Sequence, residues 1–356
     1  MVTVSLCMIV KDEEQVLERC LKSVYDLVEE INVVDTGSTD KTIEIAKKYT
    51  DRVFHFKWTG KFKDARNKSF NYATKEYIFY IDADDVLLEE DRIKFLQLKK
   101  NLDPSIDSVS MYYNAGMDEY GNITLKYRRN RLVKRSKQFK WKGDCHNYLE
   151  VTGNIVNSDV AITHKKSSHS VGRNLNIYKN KIKNGDKFSA RDYFYYGNEL
   201  KENGLYKEAI DSYTKNINMK AGWVEDKVYA CINRADCWRL LGDKEKELAS
   251  LFQSFQYSGT PRPESCSRIG YNFQQKQLYK KAIFWYELAI NIETDPNKWS
   301  FTYPAYATWY PHLQLCVCYY KLKKFKKSYE HNEKAREYMP QDARVLHNKT
   351  LLENIV

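Results

Sequence analysis

No apolar run in this 356-residue sequence approaches the ~20 residues that a membrane-spanning helix requires. The segment Val2 to Val10 lacks a basic lead-in and gives way to Lys11-Asp12-Glu13-Glu14, so it reads as a first β-strand and not as a signal peptide. Paired cysteines are missing as well. The eight cysteines are scattered without a C-x-x-C, and Cys316 and Cys318 sit in a helical pattern where positions i and i+2 do not face each other. They read as reduced core residues of a cytoplasmic protein, not as disulfides or a zinc site. The glycine patterns G-x-G-x-x-G after the first strand and G-x-x-x-x-G-K-[ST] anywhere are also absent, which argues against dinucleotide and P-loop sites.

What remains is a globular composition, 42% hydrophobic and 29% charged. The length suits two domains, each burying its own core. The net charge of +11 comes mostly from dispersed lysines, the pattern of a solvated surface. One concentration stands out: Lys126, Arg128, Arg129, Arg131, Lys134, Arg135, Lys137, Lys140 and Lys142. Such a block suits phosphates of RNA, of lipid headgroups or of a nucleoside diphosphate.

The first half alternates strand and helix patterns. Strands are expected at 3–10, 31–34, 52–58 and 77–81, and helices at 14–27, from Thr42 to Tyr49 and from Asp64 to Lys75. This β-α alternation predicts a parallel α/β sheet whose ligands bind at the carboxyl ends of its strands. Four polar clusters fall at those ends: Lys11-Asp12-Glu13, Asp35-Thr36-Gly37-Ser38, Trp58 to Asp64, and Asp82-Ala83-Asp84. The last follows the apolar run Tyr77-Ile78-Phe79-Tyr80-Ile81, and strand alternation would place Asp82 and Asp84 on one side. Two carboxylates there repel unless a cation joins them, so a divalent metal carrying a phosphorylated ligand is one reading. An Asp cluster capping a helix over 86–98 is the other. Four clusters on one rim favour the nucleotide pocket, with Asp84 as ligand and Asp85 as the cap.

Met8-Ile9-Val10-Lys11-Asp12-Glu13-Glu14, Val34 to Thr42, Asp64-Ala65-Arg66-Asn67 and Asp82-Ala83-Asp84 occur in the order and spacing of the family-2 glycosyltransferases, which the sequence resembles. The resemblance implies a GT-A fold, a mostly parallel Rossmann-like α/β sheet, and a UDP-sugar donor bound with Mn²⁺ or Mg²⁺. By its motifs, Asp84 binds the metal and Asp82 the ribose or a metal-bound water. Asp35 and Asp64 hold base and ribose, Arg66 belongs to the same pocket, and the backbone from Val10 to Glu13 lines it. The family usually has Asn where Asp12 stands. A departing diphosphate needs a hard cation with oxygen ligands, which agrees with these residue types.

Further strands are expected from Ser108 to Tyr113 and through Leu125, around a turn at 118–122. Arg131-Leu132-Val133-Lys134 resembles the family's R-L-F-R segment beside the donor diphosphate, which gives Arg131 a substrate-side role. Trp141 to Val151 resembles its W-x-G-x-x-H-E-x-L segment. Relatives have a Glu after the His as the base that takes the acceptor proton, but this sequence has Asn147, which cannot serve. Asp144, His146 and Glu150 are the substitutes, with a structural role for His146 as the alternative. A thiol acceptor would need less help, because thiolates form near neutral pH. By the same resemblance His164, with His169 as fallback, completes the metal shell; the alternative is an exposed loop histidine.

Beyond Ser170 the periodicity is purely helical. Gly204-Leu205-Tyr206-Lys207-Glu208-Ala209 has counterparts starting at Gly242, Gln277 and Lys323, at intervals of about 38, 35 and 46 residues, near the ~34 of tetratricopeptide repeats. The domains expected are 1–170 for donor binding, 171–188 as a linker and 189–356 as an all-α tetratricopeptide-like array. Such arrays hold an extended peptide or another subunit. The aromatic insertion Trp299 to Tyr310 is expected mainly to pack between repeats, with some rings free for an acceptor groove or a homodimer contact. A transferase domain followed by such repeats resembles the bacterial S- and O-glycosyltransferases that modify ribosomally made peptides, including the sublancin type. That implies inverting transfer to a Cys or Ser/Thr of a peptide or protein held by the repeats, with no nucleic acid and no membrane span involved. The competing readings are a transferase acting on a cell-surface glycan precursor, a non-catalytic repeat scaffold, and RNA binding through the basic block.

Overall fold

The computed structural model describes residues 1–165, 172–293, 295 and 297–355. Its contacts separate two compact units. The first comprises Met1–Gly116, Leu125–Ser170 and Asn297–Ser300, and the second Met117–Thr124, Val171–Pro296 and Phe301–Val356.

In the first unit the chain runs β1 (Val4–Val10), α1 (Leu17–Lys22), β2 (Glu30–Asp35), α2 (Thr42–Lys47), β3 (Val53–His55), α3 (Phe62–Asn71), β4 (Tyr77–Tyr80), β5 (Asp85–Val86) and α4 (Glu89–Asn101). It continues with β6 (Ser108–Met117), β7 (Ile123–Lys134), β8 (Lys140–Lys142), β9 (Tyr148–Glu150) and β10 (Ile155–His164). Eight strands form one sheet in the order β3-β2-β1-β4-β7-β6-β10-β5, while β8 and β9 form a separate ribbon. The pairs β1–β2, β1–β4, β2–β3 and β6–β10 are parallel, and β4–β7 and β5–β10 antiparallel. Parallel strands covered on both faces need apolar side chains at nearly every position, and β1 and β4 have them. Leu6, Met8, Tyr77, Phe79, Val109 and Ile162 join one core.

Several local expectations shift. The helix expected over 14–27 shortens to α1 plus a 3₁₀ turn at Tyr25–Leu27, and the strand expected over 52–58 keeps only three residues. The helix expected from Val86 begins at Glu89, with Leu88 as its N-cap, so Asp85 caps nothing. Most cations of the basic block have partners within this unit. Arg128 lies 3.8 Å from the Tyr112 ring centroid, Arg135 Nε donates to the Lys75 carbonyl (2.7 Å), and Lys137 meets Asp107 at 3.1 Å. Alternation along a twelve-residue strand sends neighbouring cations to opposite faces, so a block in sequence is not a patch in space.

The second unit is helical: α5 (Arg173–Lys183), α6 (Ala190–Glu202), α7 (Tyr206–Asn218), α8 (Val224–Leu240), α9 (Lys244–Gln253), α10 (Pro263–Gln275), α11 (Tyr279–Asn291), α12 (Trp309–Lys321), α13 (Phe325–Arg336) and α14 (Ala343–Glu353). The segment expected as a linker therefore contains a helix, and Leu175 of α5 joins the core around Phe194 and Tyr213. The pairs α6/α7, α8/α9, α10/α11 and α12/α13 turn the same way. Gly204, Gly242, Gln277 and Lys323 all take positive φ, at 75°, 82°, 58° and 59°. Each is followed by an amide that reaches back to the last turn: Leu205 to Leu200, Asp243 to Trp238, Leu278 to Phe273 and Lys324 to Tyr319. That is the Schellman closure, which favours glycine at the left-handed position. Glycine stands there in two copies, and Gln277 and Lys323 take the same geometry in the other two. Among the described residues no helix is long and apolar enough to cross a membrane.

Within the first three pairs a small residue on the first helix faces a larger one on the second at a constant separation: Gly197 with Tyr213, Ala235 with Leu251, and Gly270 with Tyr286. A Cβ on Gly197 would meet the Tyr213 ring at 2.6 Å. Gly197→Ala should therefore destabilise the protein by about 1–2 kcal/mol, overpacking outweighing the gain in helix propensity. Thermal denaturation would check this, an unchanged or raised Tm being the contrary result.

His312 on α12 and His331 on α13 bring their Nδ1 atoms to 2.8 Å, and Tyr319 stacks on His331. Burial pushes both down to about 4, with His331 and Lys334 adding to the effect on His312, and Lys334 and Lys327 to that on His331. The unfolded chain takes up these protons near the ordinary histidine pKa, so the pair's stability is intact above pH ~6.5 and is lost as pH falls towards ~4. His331→Gln should reduce the drop in Tm between pH 7 and pH 4.5 by roughly 5 °C, read by circular dichroism.

Candidate active site

The carboxyl ends of β1, β2 and β4 lie side by side because these strands are parallel neighbours, with Cys7 opposite Tyr80 and Val10 opposite Asp35. At the β1–β2 edge the two loops are laced together. The Val10 carbonyl accepts the Thr36 amide (3.0 Å), and the Glu13 amide donates to Thr42 Oγ1 (2.7 Å). Asp12 adopts φ 54°, donates its amide to Ser38 Oγ and accepts the Thr39 amide at 2.8 Å. Asn and Asp both tolerate this left-handed geometry, which explains why Asp12 can replace the family's Asn. The Asp35 carboxylate is buried and accepts the amides of Gly37 and Ser38, each at 3.0 Å, so it shapes the loop it begins.

Beyond Tyr80 the backbone leaves the strand and turns through Asp82–Asp84, with the Asp85 amide donating to the Asp82 carbonyl (3.1 Å). Asp82 and Asp84 are thus divided by a turn and meet different partners, where strand alternation predicted one shared side. Asp82 Oδ1 accepts from Arg66 Nη2 at 2.6 Å. Burial would raise this carboxyl, but the guanidinium groups of Arg66, Arg131 and Arg129 outweigh it and hold it well below the usual range. Arg66 also lies 4.7 Å from the Trp141 ring centroid.

Asp84 faces His164, whose Nδ1 is 3.6 Å from Asp84 Oδ1 and 3.2 Å from Asp85 Oδ1. Burial raises the Asp84 carboxyl; His164 opposes the shift, and the negative charges of Asp82 and Asp85 reinforce it. The hydrogen bond to Asp85 raises the His164 imidazole, against burial, with Asp84 adding in the same direction. Asp85 is fully buried. Its Oδ1 accepts from the Tyr113 hydroxyl (2.9 Å), and its Oδ2 meets Arg131 Nη2 at 3.4 Å.

Arg131, expected beside the diphosphate, has no exposed surface. It donates to the Tyr80 carbonyl and lies between the Tyr80 and Tyr113 rings, at 4.7 and 4.9 Å from their centroids. As folded, it is the buried counter-ion of Asp85 beneath the acidic turn. His169 lies outside the described residues.

The remaining candidates gather around α3. Asp64, in its first turn, accepts from Thr59 Oγ1 at 2.8 Å. The Asp144 carbonyl accepts the Phe62 amide, and its carboxylate pairs with Lys63 at 2.7 Å. Asn67 receives the Trp141 amide (2.8 Å) and donates to the Trp141 carbonyl (3.2 Å), which locks the β8–β9 ribbon to α3. This explains the Asp64-Ala65-Arg66-Asn67 motif: Ala65 is buried, Arg66 holds Asp82, and Asn67 fixes the ribbon. His146 is half-buried in the tight loop after Gly143 (φ 83°). Glu150 lies on the exposed edge of the ribbon, 3.6 Å from Lys142.

Asp84, Asp85 and His164 are a group able to hold a metal ion, their ligand atoms lying within 4.8 Å of one another. Two carboxylates and an imidazole suit Mn²⁺ or Mg²⁺, and the mutual repulsion that raises Asp84 is what a cation would relieve. Sequence reasoning missed Asp85 and Tyr113 as parts of this cluster. Tyr113 carries no signal beyond its place in an apolar strand.

Residues 5–152 match the description of Glycosyl transferase family 2. A TPR repeat-containing protein of Synechococcus elongatus is 44% identical over 103 residues, 29% of this chain and 25% of that protein. The SPbeta prophage-derived glycosyltransferase SunS of Bacillus subtilis is 31% identical over 231 residues, 61% of this chain and 53% of that protein. The chain thus spans a quarter of the first relative and about half of the second. Among solved structures, MamA matches with a TM-score of 0.39 at 16% identity, covering 49% of this chain and 91% of that one. Read together with the sheet and its acidic rim, the N-terminal part of this chain is a glycosyl transferase family 2 domain.

Proposed function

We propose that this protein transfers a sugar, with inversion, from a UDP-sugar to a Cys or Ser/Thr side chain of a peptide or protein. The reading rests above all on the cluster of Asp84, Asp85 and His164 at the carboxyl rim of a family-2 domain. Asp84 and His164 are the groups that would hold Mn²⁺ or Mg²⁺. The ion, when bound, neutralises the charge that develops on the departing diphosphate. Asp82, kept ionised by Arg66, is ready to accept hydrogen bonds from a ribose. Asp35 and Asp64 would take the nucleoside from the neighbouring strand end and from the start of α3.

The candidates for the base that takes the acceptor proton are His146, Asp144, which pairs with Lys63, and Glu150, which faces Lys142. A weakly assisted base favours a thiol acceptor, since a thiol ionises near neutral pH without a strong partner. Titration calorimetry with UDP should show binding only when Mn²⁺ or Mg²⁺ is present. Intact-mass analysis of cysteine- and serine-containing peptides incubated with UDP-sugars should show addition of a hexose mass. Metal-independent UDP binding together with unmodified peptides would overturn the reading.

A further inference from the structure

Between α11 and α12 the chain does not take the short connection used between the other helix pairs. The segment Phe301 to Ala307 instead crosses the first helices of three successive pairs. The Phe301 ring packs edge-on to Tyr229 of α8 at 5.1 Å and near Phe194 of α6 at 6.4 Å, and Tyr303 lies 5.8 Å from Tyr229. The strap ends in a 3₁₀ turn at Pro304–Ala307 that leads into α12.

Polar contacts to this strap are aimed at its main chain. The Tyr229 hydroxyl donates to the Phe301 carbonyl (2.6 Å), and Ser267 Oγ of α10 donates to the Tyr306 carbonyl (3.0 Å). The same Tyr229 hydroxyl lies 2.8 Å from Glu264 Oε1 of α10. Tyr229, Glu264 and Ser267 are all buried. Losing the strap would take these carbonyl acceptors away from two buried hydroxyls, so this face is suited to cover by polypeptide backbone. Bonds to carbonyls do not depend on which side chains the covering segment carries. The aromatic contacts at Phe301 and Tyr303 add a preference for rings two residues apart. Stacked helix pairs offer a continuous face for an extended ligand of this kind.

We propose that the face formed by α6, α8 and α10 is an extended-peptide site, that residues 301–306 are its resident occupant, and that a polypeptide carrying aromatic residues at alternate positions docks there by displacing them. This holds whichever sugar or acceptor atom the transferase domain uses.

The test replaces residues 301–306 by a Gly-Ser sequence of equal length in the full chain. The probe is a fluorescein-labelled synthetic peptide of residues 301–310, followed by fluorescence anisotropy. The strap-replaced protein should bind the probe at least about tenfold more tightly than the intact protein does, and a probe with Ser at the two leading aromatic positions should bind neither. The milder variant F301S/Y303S, which keeps the main-chain bonds, serves if the full replacement does not fold, and it too should exceed the intact protein. Probe binding that is equal in all three proteins, or absent from a variant with unchanged helical circular dichroism, would overturn the proposal. Neither outcome bears on UDP binding, so failure here and failure of the transferase reading are separable.

Discussion

Asp84→Ala should abolish metal-dependent UDP binding and lower sugar transfer by about a thousandfold while leaving the protein as stable as before, or more so. The two halves of this expectation have one cause. Asp84 sits in the acidic turn with Asp82 and Asp85 close by, and burial together with those charges already raises its carboxyl. Removing it deletes a repulsive charge from the folded state, so Tm should hold or rise by a degree or two. Activity behaves oppositely, because the same repulsion is what a cation relieves. Losing the charge stabilisation of a leaving diphosphate is worth several kcal/mol, and each 1.4 kcal/mol is tenfold in rate. Paired calorimetric and thermal measurements on one preparation check both halves. A stable variant that retained metal-dependent turnover would place the ion elsewhere.

Asp85→Asn should have the reverse balance, destabilising the protein by about 3–5 kcal/mol. The neighbouring carboxylate at 84 is partly open to solvent, but Asp85 and Arg131 have no exposed surface and each is the other's charge partner. Breaking a buried pair from one side leaves a charge out of reach of water and without its ion partner. Arg131→Met alone should be damaging for the same reason, with Asp85 then facing only Tyr113 and His164. The double variant Asp85→Asn/Arg131→Met removes both charges and should recover most of the loss, a coupling read from denaturant midpoints in a double-mutant cycle. Metal binding should not recover with it, since Asp85 is also the partner that orients His164 through Nδ1. If the double variant were as unstable as the singles, Asp85 and Arg131 would not be acting as a pair.

The contrast between residues 84 and 85 also marks how far the sequence could be read. An apolar run ending in carboxylates announces a buried strand with a polar rim, and the neighbouring Asp35 and Asp64 segments placed that rim on one side of the sheet. What local pattern could not carry was β5. Two residues that pair with the end of β10 are too short to show a period, and the partner lies far along the chain. Without β5 the third carboxylate looks like a helix cap. The burial of Arg131 against Asp85 is hidden for a similar reason: its motif position identifies the strand but not the face. The Asp64-Ala65-Arg66-Asn67 stretch was legible as a motif, yet the role of Asn67 appears only once the ribbon's backbone lies against it. In the repeat half the recurring pattern locates all four turns, while the left-handed geometry at Gln277 and Lys323, where no glycine stands, appears only in the structure.

The strap across α6, α8 and α10 is joined to the chain at both ends, and this sets how a competitor must arrive. A segment tethered so closely competes as though present at roughly millimolar concentration. A free peptide of micromolar affinity at micromolar abundance would rarely displace it. A segment of a polypeptide already engaged elsewhere on the protein would have a comparable effective concentration and could. The strap would thus filter acceptors by valency: single-site encounters are rejected, and only chains long enough to hold on at two places open the groove.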